Sequence, residues 1–292
     1  MATDETGLDY ERIVTVLAPA ALRPALAEEL AARPDVAAVA AAWRPPLISP
    51  MSLLRVTPAA GVTQNAGFMA VSPGYFNALG VRILREREFT RAEAEQHAAL
   101  VLVSEATARL FWPGRDPIDQ TLDIAPPPTE RQRQPVVSRA TVIGVVEDVV
   151  NGTLLDGIAR TSVYFPTSTA DPEAQWLLVR TRGDAAVDNR IAKALHDAHP
   201  ASALEVSALR QHAAIQVWYL GAGNVVGQAI EHPLGGFANK RNVDLGASAG
   251  AHDHVGGLQL GHQVWYAVGR IGAVGVSYAN YVMRCSKYAR LQ

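Results

Sequence analysis

Cysteine is almost absent: Cys285 stands alone among 292 residues, which excludes an internal disulfide and leaves the redox compartment open. An excess of charge is absent too. With 26 basic and 28 acidic side chains the net charge is −2, so nothing draws the chain generally to nucleic acid or anionic lipid. The five tryptophans (Trp43, Trp112, Trp176, Trp218, Trp265) are scattered without an interleaved basic stripe, which leaves a base-stacking surface unsupported. Residues 1–10 (MATDETGLDY) are acidic and polar, the opposite of a signal peptide's basic start and apolar core. Long apolar runs are scarce. The best, residues 213–230, carries no charge for 18 residues, but Gln216, Asn224, Gln228 and three glycines make it a poor membrane span. A weakly ordered or partly buried segment is expected there instead.

Signatures of chemistry are also missing. There is no His-Glu-x-x-His and no Gly-x-Gly-x-x-Gly after a strand, and residues 223–228 lack the lysine and hydroxyl of a phosphate loop. His252, Asp253, His254 and His262 are ligand-type side chains, but their spacing fits no ligand frame, so a solvated loop is expected. Glu147 and Asp148 are adjacent on a strand end and therefore point to opposite faces, which predicts a water-facing rim rather than an acid–base pair. His196 and His199 flank a helix end, where a cation complements the dipole. Asn151-Gly152-Thr153 matches a glycosylation sequon, although a hairpin turn after residues 145–150 accounts for the Asn and Gly. No catalytic, cofactor-binding or metal-binding residue is assigned, and no cofactor is expected.

What is present is regular structure with clear punctuation. Residues 13–17 read as a strand. Residues 24–33 read as a helix burying Leu26 and Leu30, with Leu22 just ahead, and Pro34-Asp35 break it before a strand at 36–42. Ser72 is the expected N-cap of a short helix with Pro73 in first position, Gly80 as its left-handed exit, and an apolar face of Tyr75, Phe76 and Leu79. Residues 99–103 are a buried β-branched strand. Ser104 caps the next helix, which Pro113-Gly114 stops, and Trp112 beside Phe111 suggests core packing at its end. Residues 125–135 (APPPTERQRQP) read as an exposed polar loop. Residues 176–181 are strand-like, Gly183-Asp184 open a helix carrying Val187, Ile191, Leu195 and Ala198, Pro200 ends it, and residues 204–209 form a short strand. The pattern is α+β: two β-α-β flanking units around a mostly β centre. After about His212 the character changes. Thirteen of the 23 glycines and half of the eight histidines, including His232, fall in this stretch, and the periodicities fade.

The runs GLDYERIVTV, RPDVAAVA, VSPGYFNALGVRILREREFT, VLVSEATARLFWPGRDPIDQTLDI, TVIGVVEDV, VYFP and LLVRTRGD, in this order, resemble the periplasmic core domain of MacB/FtsX-type ABC transporter permeases. The resemblance covers about residues 7–212, and Val71-Ser72-Pro73-Gly74-Tyr75-Phe76 is its strongest piece. It implies a porter-like subdomain from residues 11–70 and 170–212 around a central insert, 71–169. It further implies a non-enzymatic, extracytoplasmic domain at the cell membrane, set between the first and second membrane helices of the permease. Such a domain couples a cytoplasmic ABC ATPase to partner or substrate handling in the envelope by moving as a unit. The implied partners are that ATPase, a membrane-spanning permease subunit and an envelope protein, with no nucleic acid. The family's later membrane helices have no counterpart in the irregular, Gly/His-rich tail at 213–292, and a reading-frame change near residues 213–220 would produce such a tail. The competing expectation is a free-standing protein- or ligand-binding module that kept the fold without membrane coupling.

Overall fold

Alternation with period two sets the start of the fold. In β1 (Ile13–Leu17), Val14 and Val16 enter one buried cluster and Ile13 enters another, so the strand is covered on both faces. Helix α1 (Arg23–Ala31), entered through a proline in its first turn, returns the chain to β2 (Val36–Ala42). Both strands pair antiparallel with β10 (Trp176–Thr181), so they run parallel to each other with β10 between them. The far end repeats the plan. Helix α5 (Ala185–Ala198) joins β10 to β11 (Glu205–Ala208), and β11 pairs with the free side of β1. The sheet order β11-β1-β10-β2 thus interleaves two β-α-β connections. Leu26, Leu30, Ile191 and Leu195 from the helices pack with Val14, Val16, Leu177 and Val179 in one cluster. Burying each such side chain contributes about 1.5–3 kcal/mol.

Between these halves lie β3 (Leu53–Pro58), β4 (Gln64–Val71), α2 (Tyr75–Leu79), β5 (Ile83–Glu86), α3 (Arg91–Glu95), β6 (Leu100–Ser104), α4 (Glu105–Phe111), β7 (Thr121–Ala125), β8 (Arg139–Val146) and β9 (Ser162–Pro166). Following the pairings β4-β3-β7-β8-β6-β9 leads back to β4, so six strands close into a ring. Among the described strands only the β4–β9 and β6–β8 pairings are parallel. Closure leaves these strands with no open edge over their paired lengths, and β5 is added alongside β8. Leu54, Val56, Phe68, Val101, Val103, Leu122 and Val142 feed the larger buried cluster. The fold is a mixed one of helices and strands. The ring meets the sheet through one β2–β4 pair, Ala42 opposite Val71, extended by Ser72 N–H to Ala41 C=O (2.8 Å) and Trp43 N–H to Ala70 C=O (3.0 Å).

The computed structural model describes residues 7–48, 51–59, 61–125, 137–153, 161–183 and 185–216. The polar loop after residue 125, Asp184, residues 217–230, the tail histidines and Cys285 lie outside them. Among the described residues no helix is long and apolar enough to cross a membrane. Residues 209–216 are helical, with Leu209, Ala213 and Gln216 buried.

Two local expectations are corrected. Ser72 does not cap α2: its hydroxyl accepts from Ala41 N–H at 2.7 Å, and the cap position falls to Gly74, in the left-handed region at φ 87°. The bond that would have capped a helix instead stitches β2 to the turn. Asn151-Gly152 is not a hairpin turn, because β8 and β9 are not neighbours; β6 lies between them. Asn151 is buried and spends its amide N–H groups on Ser162 Oγ (2.6 Å) and Tyr164 Oη (2.9 Å). Ser104, by contrast, caps α4 as read, its hydroxyl accepting from Thr107 N–H.

Candidate functional site

The residues that join the sheet to the ring are tied by side chains from both, and α2 sits at their centre. It packs on β2 and β10 of the sheet. Its Tyr75 and Phe76 rings meet Tyr164 of β9 in the ring, at centroid distances of 6.4 and 4.9 Å. Gly80 ends it at φ 72°, a conformation that favours glycine, and a Cβ there would lie 2.6 Å from Arg180 Nη2 and push that guanidinium aside. Arg180 of β10 donates to Asp9 Oδ2 (2.7 Å) and to the Asn77 carbonyl, while Asp9 N–H donates to the Leu79 carbonyl (3.1 Å). From the other side the Glu88 carboxylate accepts from Gly74 N–H at 3.0 Å and is stabilised by the N–H groups of Tyr75 and Phe76. Burial nevertheless dominates and raises the Glu88 pKa above the ordinary carboxylate range.

A second polar knot ties α4 to β9. Ser162 N–H donates to Thr107 Oγ1 (2.7 Å) and Ser104 Oγ (3.1 Å), and Ser162 Oγ receives Asn151. Burial pushes the Tyr164 hydroxyl up to about 12 against the bonds from Asn151 and Ser162, and carries Tyr75 well above its usual value. Both stay protonated at neutral pH; Tyr164 Oη is held by the Asn151 amide, while Tyr75 Oη is buried without a hydrogen-bond partner among the described residues. Arg23, 1% exposed, donates to the carbonyls of Ala18, Thr169 and Asp171 and thereby pins the segment that leads from the ring into β10. Burial lowers its pKa, with the charge of Asp171 acting against that.

The incoming residues 7–12 and the outgoing helical residues 209–216 lie side by side. Arg210 donates to the Glu11 carbonyl (3.1 Å) and pairs with Asp188 of α5, whose side chain is 4% exposed and also accepts from Thr181 Oγ1 (3.1 Å). Nearby, the Ser207 hydroxyl bridges Thr15 Oγ1 and His212 Nε2, at 3.0 Å each. These are the atoms of a nucleophile–base contact, but the hydroxyl is held between two partners within the sheet. Burial depresses the His212 pKa, so the ring is neutral at pH 7.

The residues singled out by sequence fall elsewhere. Glu147 pairs with Arg82, and Asp148 pairs with Arg109 and accepts Ala106 N–H (2.7 Å). They diverge as alternation requires, but Asp148 is tucked against the start of α4 and does not face water. His196 Nδ1 meets the Ala192 carbonyl (2.7 Å), and His199 pairs with Glu29 (3.1 Å). Phe111 and Trp112 are buried edge to face. Among the described residues no cluster of His, Cys, Asp or Glu could hold a metal ion. Residues 246–250 (GASAG) have the Gly-x-Ser-x-Gly spacing of a nucleophile elbow, a pattern that qualifies the absence of catalytic signatures, and lie outside the described residues. Sequence reasoning missed Glu88, Arg23, Asp188 and Arg210, because each bonds to groups distant along the chain.

The fold and its junction define a mixed α/β module of interleaved sheet and closed ring. Among the described residues its buried polar side chains bond mostly to one another and to backbone, while Arg23 Nε, Tyr75 Oη and Asn151 Oδ1 are buried without a hydrogen-bond partner. Residues 3–196 match the family model of the MacB-like periplasmic core domain, and the chain belongs to that family, a periplasmic part of ABC transporter permeases. Similar solved structures include the periplasmic region of MacB from Actinobacillus actinomycetemcomitans, at 14% identity and a TM-score of 0.48, covering 77% of this chain and 95% of that one. Another is the extracellular domain of the ABC-type transporter YknZ from Gram-positive bacteria, at 14% identity and a TM-score of 0.44, covering 67% and 99%. No curated protein matches the chain.

Proposed function

We propose that this chain acts as the extracytoplasmic domain of an ABC-type export permease, non-catalytic in itself. It couples a cytoplasmic ATPase to partner or substrate handling in the cell envelope by moving as a unit. The β11-β1-β10-β2 sheet with α1 and α5 serves as the porter-like subdomain and the ring as the insert. Because β3 (Leu53–Pro58) and β4 (Gln64–Val71) belong to the ring, the insert begins near residue 53 and not at the boundary of 71 expected from sequence. The observation that carries this reading is the adjacency of the incoming and outgoing segments. Both leave the domain at one place, held together by Arg210 on the Glu11 carbonyl, as a domain mounted on two neighbouring membrane helices requires. Coupling then needs only that a displacement at this mount be passed through packed elements to the ring.

Hydrogen exchange on the full chain, reconstituted with an ABC ATPase and membrane subunit encoded beside it, tests the proposal. ATP is expected to change exchange at residues 7–12 and 209–216, with no hydrolysis by the chain alone. Exchange indifferent to ATP, or failure to co-purify with either subunit, would sink it.

A further inference from the structure

A short strap follows β5, and its construction has no local explanation. Glu86 stands at φ 56°, a left-handed conformation that costs a side-chain-bearing residue strain. Strap and β8 approach so closely that a Cβ on Gly144 would lie 2.6 Å from the Arg87 carbonyl oxygen and 3.3 Å from that of Arg85. Phe89 is buried in the larger cluster. The far end is fixed by a capping box at α3, in which Thr90 and Glu93 exchange side-chain and backbone bonds, while Arg87 grips Glu93 with its two terminal guanidinium nitrogens (2.8 and 2.7 Å). A strap anchored at both ends on the ring sends one side chain away from it. That side chain is Glu88, which reaches Gly74 at the start of α2, the helix seated on β2 and β10 of the sheet.

We infer that Glu88 is a positioning residue for the relative orientation of sheet and ring, a strut braced on the strap and bearing on the backbone of α2. Three features support this. The covalent path from α2 to the strap runs through Gly80 and β5 and is itself tied down, Val81 N–H donating to the Phe76 carbonyl (2.9 Å) and Glu147 N–H to the Arg82 carbonyl (3.1 Å), so Glu88 adds a second, direct tie between α2 and the strap. Its acceptor oxygens face N–H groups that a five-residue helix cannot satisfy internally. The anchoring at both strap ends removes the freedom that would let the half-buried carboxylate drift into water. The inference bears on the proposed transport role, because a stiff junction passes on displacement, but its test reads geometry alone and is independent of that role.

The experiment uses the full chain with Cys285→Ser, Lys193→Cys on α5 and Arg139→Cys on β8, both exposed positions (76% and 69%), carrying spin labels for distance measurement. Glu88→Ala is expected to broaden the sheet-to-ring distance distribution about twofold. Glu88→Gln, which keeps one acceptor oxygen, is expected to fall between it and the parent, with faster amide exchange at residues 74–76. If Glu88→Ala does not fold, the Gln variant alone decides by the same two readouts. A distribution as narrow as the parent's in whichever variant folds overturns the inference, even if thermal stability drops, since that would mark a local cap and not a strut.

Discussion

Asp188 illustrates how much rests on single side chains. It is nearly inaccessible, and its partner Arg210 comes from the outgoing segment. Removing the cation leaves a buried carboxylate uncompensated, so Arg210→Met is expected to cost roughly 3–5 kcal/mol of unfolding free energy in urea titration. Replacing both residues together should cost less than that single change, because the stranded charge is gone. Gly80 gives a cleaner case. Gly80→Ala must place a side chain in the left-handed region, about 1–2 kcal/mol, and must also displace Arg180 from Asp9. Gly114 has nearly the same φ but nothing within 4 Å, so Gly114→Ala should show the conformational part alone. Equal losses at the two glycines would show that the Arg180 contact carries no weight.

Charged pairs on the elements set the response to acid. Arg87 holds Glu93 down to about 2, and hydrogen bonds from Arg33, Arg82 and Arg139 lower Asp35, Glu147 and Asp123. Groups with depressed folded pKa values stabilise above their unfolded values and lose that contribution as pH falls through the folded ones. Stability from these pairs should therefore fall between about pH 4.5 and pH 2, less steeply in high salt because the pairs are exposed. Glu88, raised by burial, works in the opposite direction: its contribution is present below the unfolded value and is lost as pH rises through the folded one. His212, lowered by burial, favours the neutral ring, so its contribution is complete above about pH 6.5 and is lost as pH falls below it. A melting-temperature profile should thus show an early decline that His212→Gln abolishes and a later one that it leaves in place. A single acid transition unaffected by His212→Gln would refute this assignment. The elements themselves were legible because their signals are local: short apolar runs at β1 and β10, leucines four apart in α1, a hydroxyl cap at Ser104. The closure of the ring was not legible, since the β4–β9 and β6–β9 pairings are long-range choices that no window of sequence contains. The same distance hid Glu88 and turned Ser72 from a helix cap, and Asn151 from a turn residue, into cross-links.

For the molecule as a whole, the packed residues continue through Gln216. Chains ending at residue 216 are expected to keep the fold. Ending at residue 208 removes buried Leu209 and Ala213 along with Arg210, and should cost several kcal/mol on the same charge-stranding argument. Comparable urea midpoints for the two would disprove it. The placement of the two chain segments also determines how the domain answers a pull. β1 begins where β11 ends, with Val14 opposite Ala208 in an antiparallel pair. A force separating the two segments therefore opens the ladder like a zipper, one rung at a time, while a common push on both leaves every rung unloaded. Strands joined this way yield readily to tension between their tethers and resist it only as well as their first fastening. Arg210, clasping the Glu11 carbonyl and Asp188 just outside the first rung, is that fastening. On the proposed mounting, two attachments moving together carry the domain intact, and two drawn in different directions open it from this end.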